Sequence, residues 1–339
     1  MKRMLLKSLK TIVPEEVATP VPGNGEILIK VSKVAVCGSD ISAFYGKHPY
    51  IPFPMVLGHE FSGTVQEAGP DTPSLPIGSR VTVLPHLPCR KCAACANKQY
   101  NLCGALKALG CQAYGAQAEY VKVPADMVFA LPDNVSMEAG ALVEPIAVAY
   151  HGTKKAVGRG DTVLVLGAGG IGLSAMQSAN ILGAGRTVVA DFSAKRLELA
   201  KSLGAADVID LSGGALKDLA PAVGDFTVYC DCVGGNGAAL SSIIETARRG
   251  VKVVCIGVIA QDFSIPNLPD LTEKELTFFG SNMYVAGDFI EVIEHLSAGS
   301  FKTEGIFTHR YDLDKVPEMY AFVDGKKGEY IKLMIEVSR

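Results

Sequence analysis

The chain has no basic cluster, no RNA-binding motif and a net charge of only -3 over 339 residues, so nothing in it points to nucleic acid. Its N-terminus has no apolar signal segment. It has no internal repeat and no low-complexity stretch. It does have one long uncharged run, residues 162 to 185. Six glycines together with Ser174, Gln177, Ser178 and Asn180 make that run a strand, a turn and a helix rather than a membrane span. Nine cysteines in a chain without a leader fit a reducing, cytoplasmic compartment in which thiolates serve metal. The length suits about two domains with ample core.

Four of those cysteines carry a strong signal. Cys89, Cys92, Cys95 and Cys103 follow the pattern CxxCxxC, seven residues, then Cys, in a loop-like stretch that opens Pro85-His86-Leu87-Pro88. Two-residue gaps let several sulfurs converge on one ion, and the longer gap lets the chain return with a fourth. Four thiolates close the coordination sphere, so this zinc site would be structural and would do no chemistry. Free or disulfide-bonded cysteines are the alternative.

A second signal lies mid-chain. The apolar run Thr162 to Leu166 leads straight into Gly167-Ala168-Gly169-Gly170-Ile171-Gly172, and a helix-like segment follows. Gly167 permits the tight turn, Gly169 lets the backbone approach a pyrophosphate, and Gly172 lets helix pack on strand. The amides at the helix start, from Gly170 and Ile171 onward, then face the phosphate charge. A second apolar strand ends at Asp191, 19 residues past Gly172, where an acid can accept hydrogen bonds from a ribose 2′-hydroxyl. That acid favours NAD, because it would repel a 2′-phosphate. Arg196 is the nearest cation that could touch such a phosphate, or else a surface charge on a helix. An ordinary Gly-rich βαβ turn is the alternative to dinucleotide binding.

The chain divides by pattern. Residues 1–149 are rich in Pro and Gly with short β-type runs such as Ile27 to Val31, which predicts an irregular β-barrel with a metal lobe at about 85–105. Residues 150–284 alternate strands (162–166, 187–190, 207–210, 226–230, 251–256, 276–280) with helices beginning near Gly172, Ala194, Gly237 and Ala215. Six strands with crossovers predict a doubly wound parallel sheet. Residues 285–339 hold a helix from Asp288 to Ser297 and a last strand, 331–337, that would rejoin the first domain. Cys230, Cys232 and Cys255 fall in predicted strands as small core residues. Cys111 exceeds the four ligands a closed zinc site needs.

Cys37 in Val36-Cys37-Gly38-Ser39-Asp40, the pair His59-Glu60 and Glu144 before Pro145 are individually unremarkable. Together they offer sulfur, imidazole and carboxylate, the donors of an open zinc site.

In this order the motifs resemble those of zinc-dependent medium-chain dehydrogenases over essentially the whole chain. The polyol branch (sorbitol, galactitol-phosphate, butanediol and threonine dehydrogenases) is the most similar. Leu131 to Val135, Gly140 to Pro145 and Thr308-His309-Arg310 carry that likeness. The resemblance implies an α/β protein in which a GroES-like β-barrel catalytic domain is joined to a Rossmann domain. It implies two zinc ions, one structural and one catalytic. The catalytic ion would be held by Cys37, His59 and Glu60, with Glu144 as a fourth or alternating ligand. Ser39 would take the proton of the substrate hydroxyl, and Gln117 and Tyr284 would line the substrate pocket.

The implied reaction is hydride transfer between a secondary alcohol of a polyol or sugar-derived small molecule and NAD, by a homodimer or homotetramer. A threonine- or butanediol-type dehydrogenase, and a non-catalytic binding member of the fold, remain alternatives. Intact Cys37, His59 and Glu60 speak against the silent member and against a zinc-free quinone reductase. Three positions depart from the family pattern. Ser42 stands where many relatives carry a relay His, with His48 nearby. Gln117 stands where they often carry Phe. Met283-Tyr284 replaces the Arg-Tyr pair of sorbitol dehydrogenases.

Overall fold

The computed structural model describes residues 1–72, 75–259, 264, 268–325 and 329–338. The chain forms two compact units. One comprises Met1–Glu144, Val285–Ala298 and Thr303–Arg339; the other comprises Pro145–Tyr284 and Gly299–Lys302. The sequence reading set its first boundary after residue 149. The units part earlier, between Glu144 and Pro145, inside the helix Met137–Lys154.

In the first unit a seven-stranded sheet is built around Glu26–Ala35. That strand pairs antiparallel with Glu60–Ala68, with Tyr120–Pro124 and, at its end, with the C-terminal strand Lys332–Glu336. Its apolar residues Ile27, Leu28, Ile29, Val31, Val34 and Ala35 are buried; they include residues consecutive in sequence, so both faces of the strand are covered there. The register places Ala35 opposite Glu60 on one side and Met334 on the other, and the Val36 amide donates to the Leu333 carbonyl. Three distant stretches of chain therefore meet where Cys37 begins the helix Gly38–Phe44. A small two-stranded sheet, His86–Leu87 with Lys107–Ala108, brackets the four-cysteine lobe.

The second unit is a six-stranded parallel sheet. Its spatial order is Asp207–Asp210, Arg186–Asp191, Thr162–Leu166, Val228–Asp231, Lys252–Cys255, Thr277–Gly280. Numbered along the chain this is 3-2-1-4-5-6, the Rossmann order, whose direction reverses between Thr162–Leu166 and Val228–Asp231. Val163, Leu164, Val165 and Leu166 are buried, the near-continuous apolar run of a strand covered on both faces. Helices Gly170–Ile181, Ala194–Ser202, Leu216–Val223 and Ala238–Thr246 fall where their start signals predict. Cys230 is buried in its strand; Cys255 ends its strand and Cys232 lies just past the end of its own, both half-buried.

The helix Met137–Lys154 was not legible. Gly140 and Pro145 break its helical pattern, and Pro145 removes a backbone donor from the helix interior. Packing decides instead: a Cβ at Gly140 would lie 2.4 Å from Leu131 Cδ1. No helix among the described residues is long and apolar enough to cross a membrane.

Candidate active site

The four lobe cysteines converge as their spacing predicts. One ligand atom from each of Cys89, Cys92, Cys95 and Cys103 lies within 4.8 Å of all the others. The sulfurs of Cys92 and Cys95 are 3.5 Å apart and those of Cys89 and Cys95 are 3.9 Å apart. Tetrahedral bonds of ~2.3 Å put sulfurs about 3.8 Å from one another, so the cage has the size of zinc. The Lys91 amide, then Cys103, holds the Cys89 thiol down at about 6, whereas burial pushes Cys95 up to about 12. Cys111 is outside this set. Burial raises its thiol to about 11, and the next influences on it are His59, Asp40, Cys37 and Glu144, which places it beside the second cluster rather than the lobe.

That second cluster is Cys37, His59 and Glu60, whose ligand atoms also lie within 4.8 Å of one another. Sulfur, imidazole and carboxylate form an open donor set that fits zinc with room for a further ligand. Glu144 is buried and adds its negative field to His59, but stands outside the three-residue set. Ser39 sits in the first turn of the helix that Cys37 opens, and its Oγ is buried with no protein partner.

Two buried groups that sequence reasoning did not single out support the cluster. Asp40 accepts from the Cys37 amide at 3.0 Å and the Gly58 amide at 3.3 Å, and its carboxylate lies 3.7 Å from His59 Nδ1. Burial raises the Asp40 pKa, opposed by the charge of His59. Burial also works against a charged His59, but Asp40 and then Cys37 outweigh it and hold its pKa well above the ordinary value. Lys332, on the C-terminal strand, contacts Glu60 Oε1 at 2.7 Å and Oε2 at 2.6 Å. Burial opposes the charge of this ammonium, and Glu60 and Cys37 more than compensate, so its pKa is raised. Asp40 could have been found from its place three residues after Cys37; Lys332 lies 272 residues from Glu60 and had no local signal.

Gln117 is fully buried. Its Nε2 donates to Tyr320 Oη at 3.2 Å, and its Oε1 has no partner. Tyr284 is also fully buried but belongs to the other unit. Ser42 lies on the helix Gly38–Phe44, and His48 accepts from the Tyr50 amide at 3.3 Å.

In the second unit Gly167 adopts φ 91° and a Cβ at Gly172 would meet the Gly167 carbonyl at 1.7 Å, so both glycines are obligatory. A Cβ at Gly169 would meet nothing within 4 Å, which leaves that stretch of backbone open to a ligand. Asp191 Oδ2 accepts from the Ala168 amide at 2.7 Å and Oδ1 from the Ser193 amide at 2.8 Å. The carboxylate is thereby fixed at the end of its strand beside the glycine turn. Arg196 is 4.0 Å from it.

Known proteins agree with both units. Residues 23–133 match the alcohol dehydrogenase GroES-like domain and residues 170–298 the zinc-binding dehydrogenase family. The chain belongs to the zinc-dependent medium-chain dehydrogenases. It is an oxidoreductase of that family. It is 32% identical to the sorbitol dehydrogenase of Bacillus subtilis over 100% of this chain and 98% of that one. It is 33% identical to the L-idonate 5-dehydrogenase of Vitis vinifera, over 98% and 93%. Among solved structures, a zinc-binding dehydrogenase from Sinorhizobium meliloti 1021 bound to NADP superposes with a TM-score of 0.92 at 30% identity, covering 99% of each chain. The rspB alcohol dehydrogenase of E. coli CFT073 complexed with NADH gives 0.91 at 30%, again over 99% of each.

Proposed function

We propose that this dehydrogenase oxidises a secondary hydroxyl of a polyol or sugar-derived substrate with NAD, and reduces the matching ketone in reverse. The observation that carries the reading is the convergence of Cys37, His59 and Glu60 beside an unpartnered, buried Ser39 Oγ. The relatives named for sorbitol and L-idonate support the substrate class.

Cys37, His59 and Glu60 would hold the catalytic zinc, with Glu144 within electrostatic reach as a fourth or alternating ligand. Bound there, zinc supplies the positive charge that lowers a hydroxyl's pKa, and the nicotinamide supplies the hydride acceptor. The chain supplies the rest. Asp40 fixes the start of the Cys37 helix and faces the His59 ring. Ser39 Oγ, with no protein partner, is placed to accept a hydrogen bond from the reacting hydroxyl. Gln117, tied by its Nε2 to Tyr320, presents Oε1 to a second hydroxyl. Asp191 and the turn from Gly167 to Gly172 seat NAD, and the carboxylate disfavours a 2′-phosphate. Cys89, Cys92, Cys95 and Cys103 hold the second, structural zinc.

As parts of the same proposal, the enzyme is cytoplasmic and works as a homodimer or homotetramer; nine unpaired thiols support a reducing compartment. A threonine- or butanediol-type reaction is the second reading, and the same screen decides it. Polyols, sugar acids, sugar phosphates, threonine and butanediol are each supplied with NAD and followed at the reduced-nicotinamide band. Turnover highest on a polyhydroxylated compound supports the proposal; turnover confined to threonine or butanediol overturns its substrate class.

A further inference from the structure

The amide of Gln117 has only part of its hydrogen bonding done. Its Nε2 donates to Tyr320 Oη at 3.2 Å, whereas its Oε1 is buried with no partner. Both side chains are fully buried, although 203 residues separate them. An acceptor in that state is costly until something donates to it.

The pair is firmly seated. The Gln117 amide donates to the Leu57 carbonyl at 2.9 Å, and its carbonyl accepts from the Met4 amide at 2.8 Å. A Cβ at Gly58 would lie 3.1 Å from Gln117 Cγ, so this side chain packs against the residue that precedes His59. Tyr320, on the helix Val316–Gly325, sets its ring 4.8 Å from that of Phe44, the last residue of the helix that Cys37 opens. The two partners are thus anchored to the two stretches of chain that carry Cys37 and His59.

Burial, and then the charge of Asp40, holds the Tyr320 phenol well above its ordinary pKa, so it keeps its proton. A phenol has one hydrogen to give and can accept as well. The oxygen of Tyr320 accepts from Gln117, and its own hydrogen has no acceptor among the described residues. Oε1 and this hydrogen make one acceptor and one donor on two bonded side chains. A single hydroxyl group, which both donates and accepts, is their complement. An ionised carboxylate or phosphate only accepts. It would leave Oε1 unpaired, set negative charge against it, and add an anion to a place where Asp40 is already buried.

Resting on the alcohol-oxidising reading above, we propose that Gln117 and Tyr320 together form a hydroxyl-reading subsite, which selects neutral polyols over sugar acids and sugar phosphates. Tyr320 acts twice, as the donor to the substrate hydroxyl and as the group that turns Oε1 of Gln117 towards it. A buried tyrosine that only braced the fold would affect every substrate alike.

The test measures kcat/KM of the full-length enzyme with NAD on four alcohols: a hexitol, the matching sugar acid, the matching hexitol phosphate and 2-butanol. The parent should prefer the hexitol to both anions by about a hundredfold or more, because a site built to bond a hydroxyl strongly rejects compounds that leave it unpaired. Tyr320→Phe keeps the ring and removes the donor. It should lower the ratio of hexitol to 2-butanol by about tenfold or more, mainly through KM, because the lost contact is made in the ground state too. A set of singly deoxygenated hexitols gives a reading on the parent alone: one of them should be about tenfold or more poorer than the hexitol, and in Tyr320→Phe that gap should close.

A parent that uses the sugar acid or the phosphate as well as the hexitol, or better, overturns the proposal. So does Tyr320→Phe that lowers hexitol and 2-butanol by the same factor, or a parent indifferent to the loss of any one hydroxyl. Failure of the underlying reading looks different: the parent then oxidises none of the four alcohols, and the proposal falls with it.

Discussion

Asp40 holds the Cys37 amide at 3.0 Å while its carboxylate stands 3.7 Å from His59 Nδ1, so one buried acid positions two of the three converging side chains. Partners of this kind orient metal ligands, and their loss commonly costs 10–100-fold in metal affinity. Asp40→Asn keeps the size and removes the charge that fixes the imidazole. Its affinity for zinc at the Cys37 site, measured by competition with a chromophoric chelator, should fall within about that range. The four-cysteine site should keep its metal. Unchanged affinity would remove Asp40 from the account.

His86 gives the fold a pH dependence with a definite sign. It is fully buried, and burial pushes its imidazole down from 6.5 to about 4. The unfolded chain takes up this proton below about pH 6.5, but the folded chain resists until about 4. The stability due to neutral His86 is therefore complete above 6.5 and drains away as pH falls toward 4. The whole effect is roughly 3 kcal/mol at 1.36 kcal/mol per unit. Melting temperatures of the parent and of His86→Leu should converge or cross between pH 6.5 and 4. Parallel curves across that window would contradict the assignment.

Much of the second unit was legible because its signals are local. Thr162 to Leu166, the glycine turn and Asp191 each occupy a few consecutive residues, and parallel strands buried on both faces read as apolar runs. The lobe was legible for the same reason, since its four cysteines span 89 to 103. The helix Met137–Lys154 was hidden by Gly140 and Pro145, which tertiary packing tolerates and propensity does not. Lys332 was hidden because its partner is set by sheet register, with Ala35 lying between Glu60 and Met334. Gln117 was noticed only as a departure from a family pattern, and its bond to Tyr320, 203 residues away, had no sequence signal.

Gln117 sets the third expectation. Its Oε1 is buried without a partner, and such an acceptor costs roughly 1–3 kcal/mol unless a ligand satisfies it. Gln117→Phe should lose the preference for the best polyol over 2-butanol by about tenfold or more, equivalent to ~1.4 kcal/mol. An unchanged ratio would place Gln117 outside the substrate site.

The cofactor preference rests on Asp191, whose two oxygens are pinned by the Ala168 and Ser193 amides. The specificity constant should be higher with NAD than with NADP. Asp191→Ala should narrow the ratio about tenfold or more, because it removes both the acceptor for the 2′-hydroxyl and the repulsion of a 2′-phosphate. A parent enzyme that favours NADP would contradict this reading.

The most direct test of the account is to count metal in the purified enzyme and in two variants, alongside NAD reduction with its best polyol. Two zinc ions per chain are expected in the parent. Cys37→Ser should keep the fold and one zinc and lose turnover, whereas Cys92→Ser should lower stability or assembly rather than the chemistry. Fully active protein holding no more than one tightly bound metal, or Cys37→Ser retaining two zinc ions and normal turnover, would contradict it.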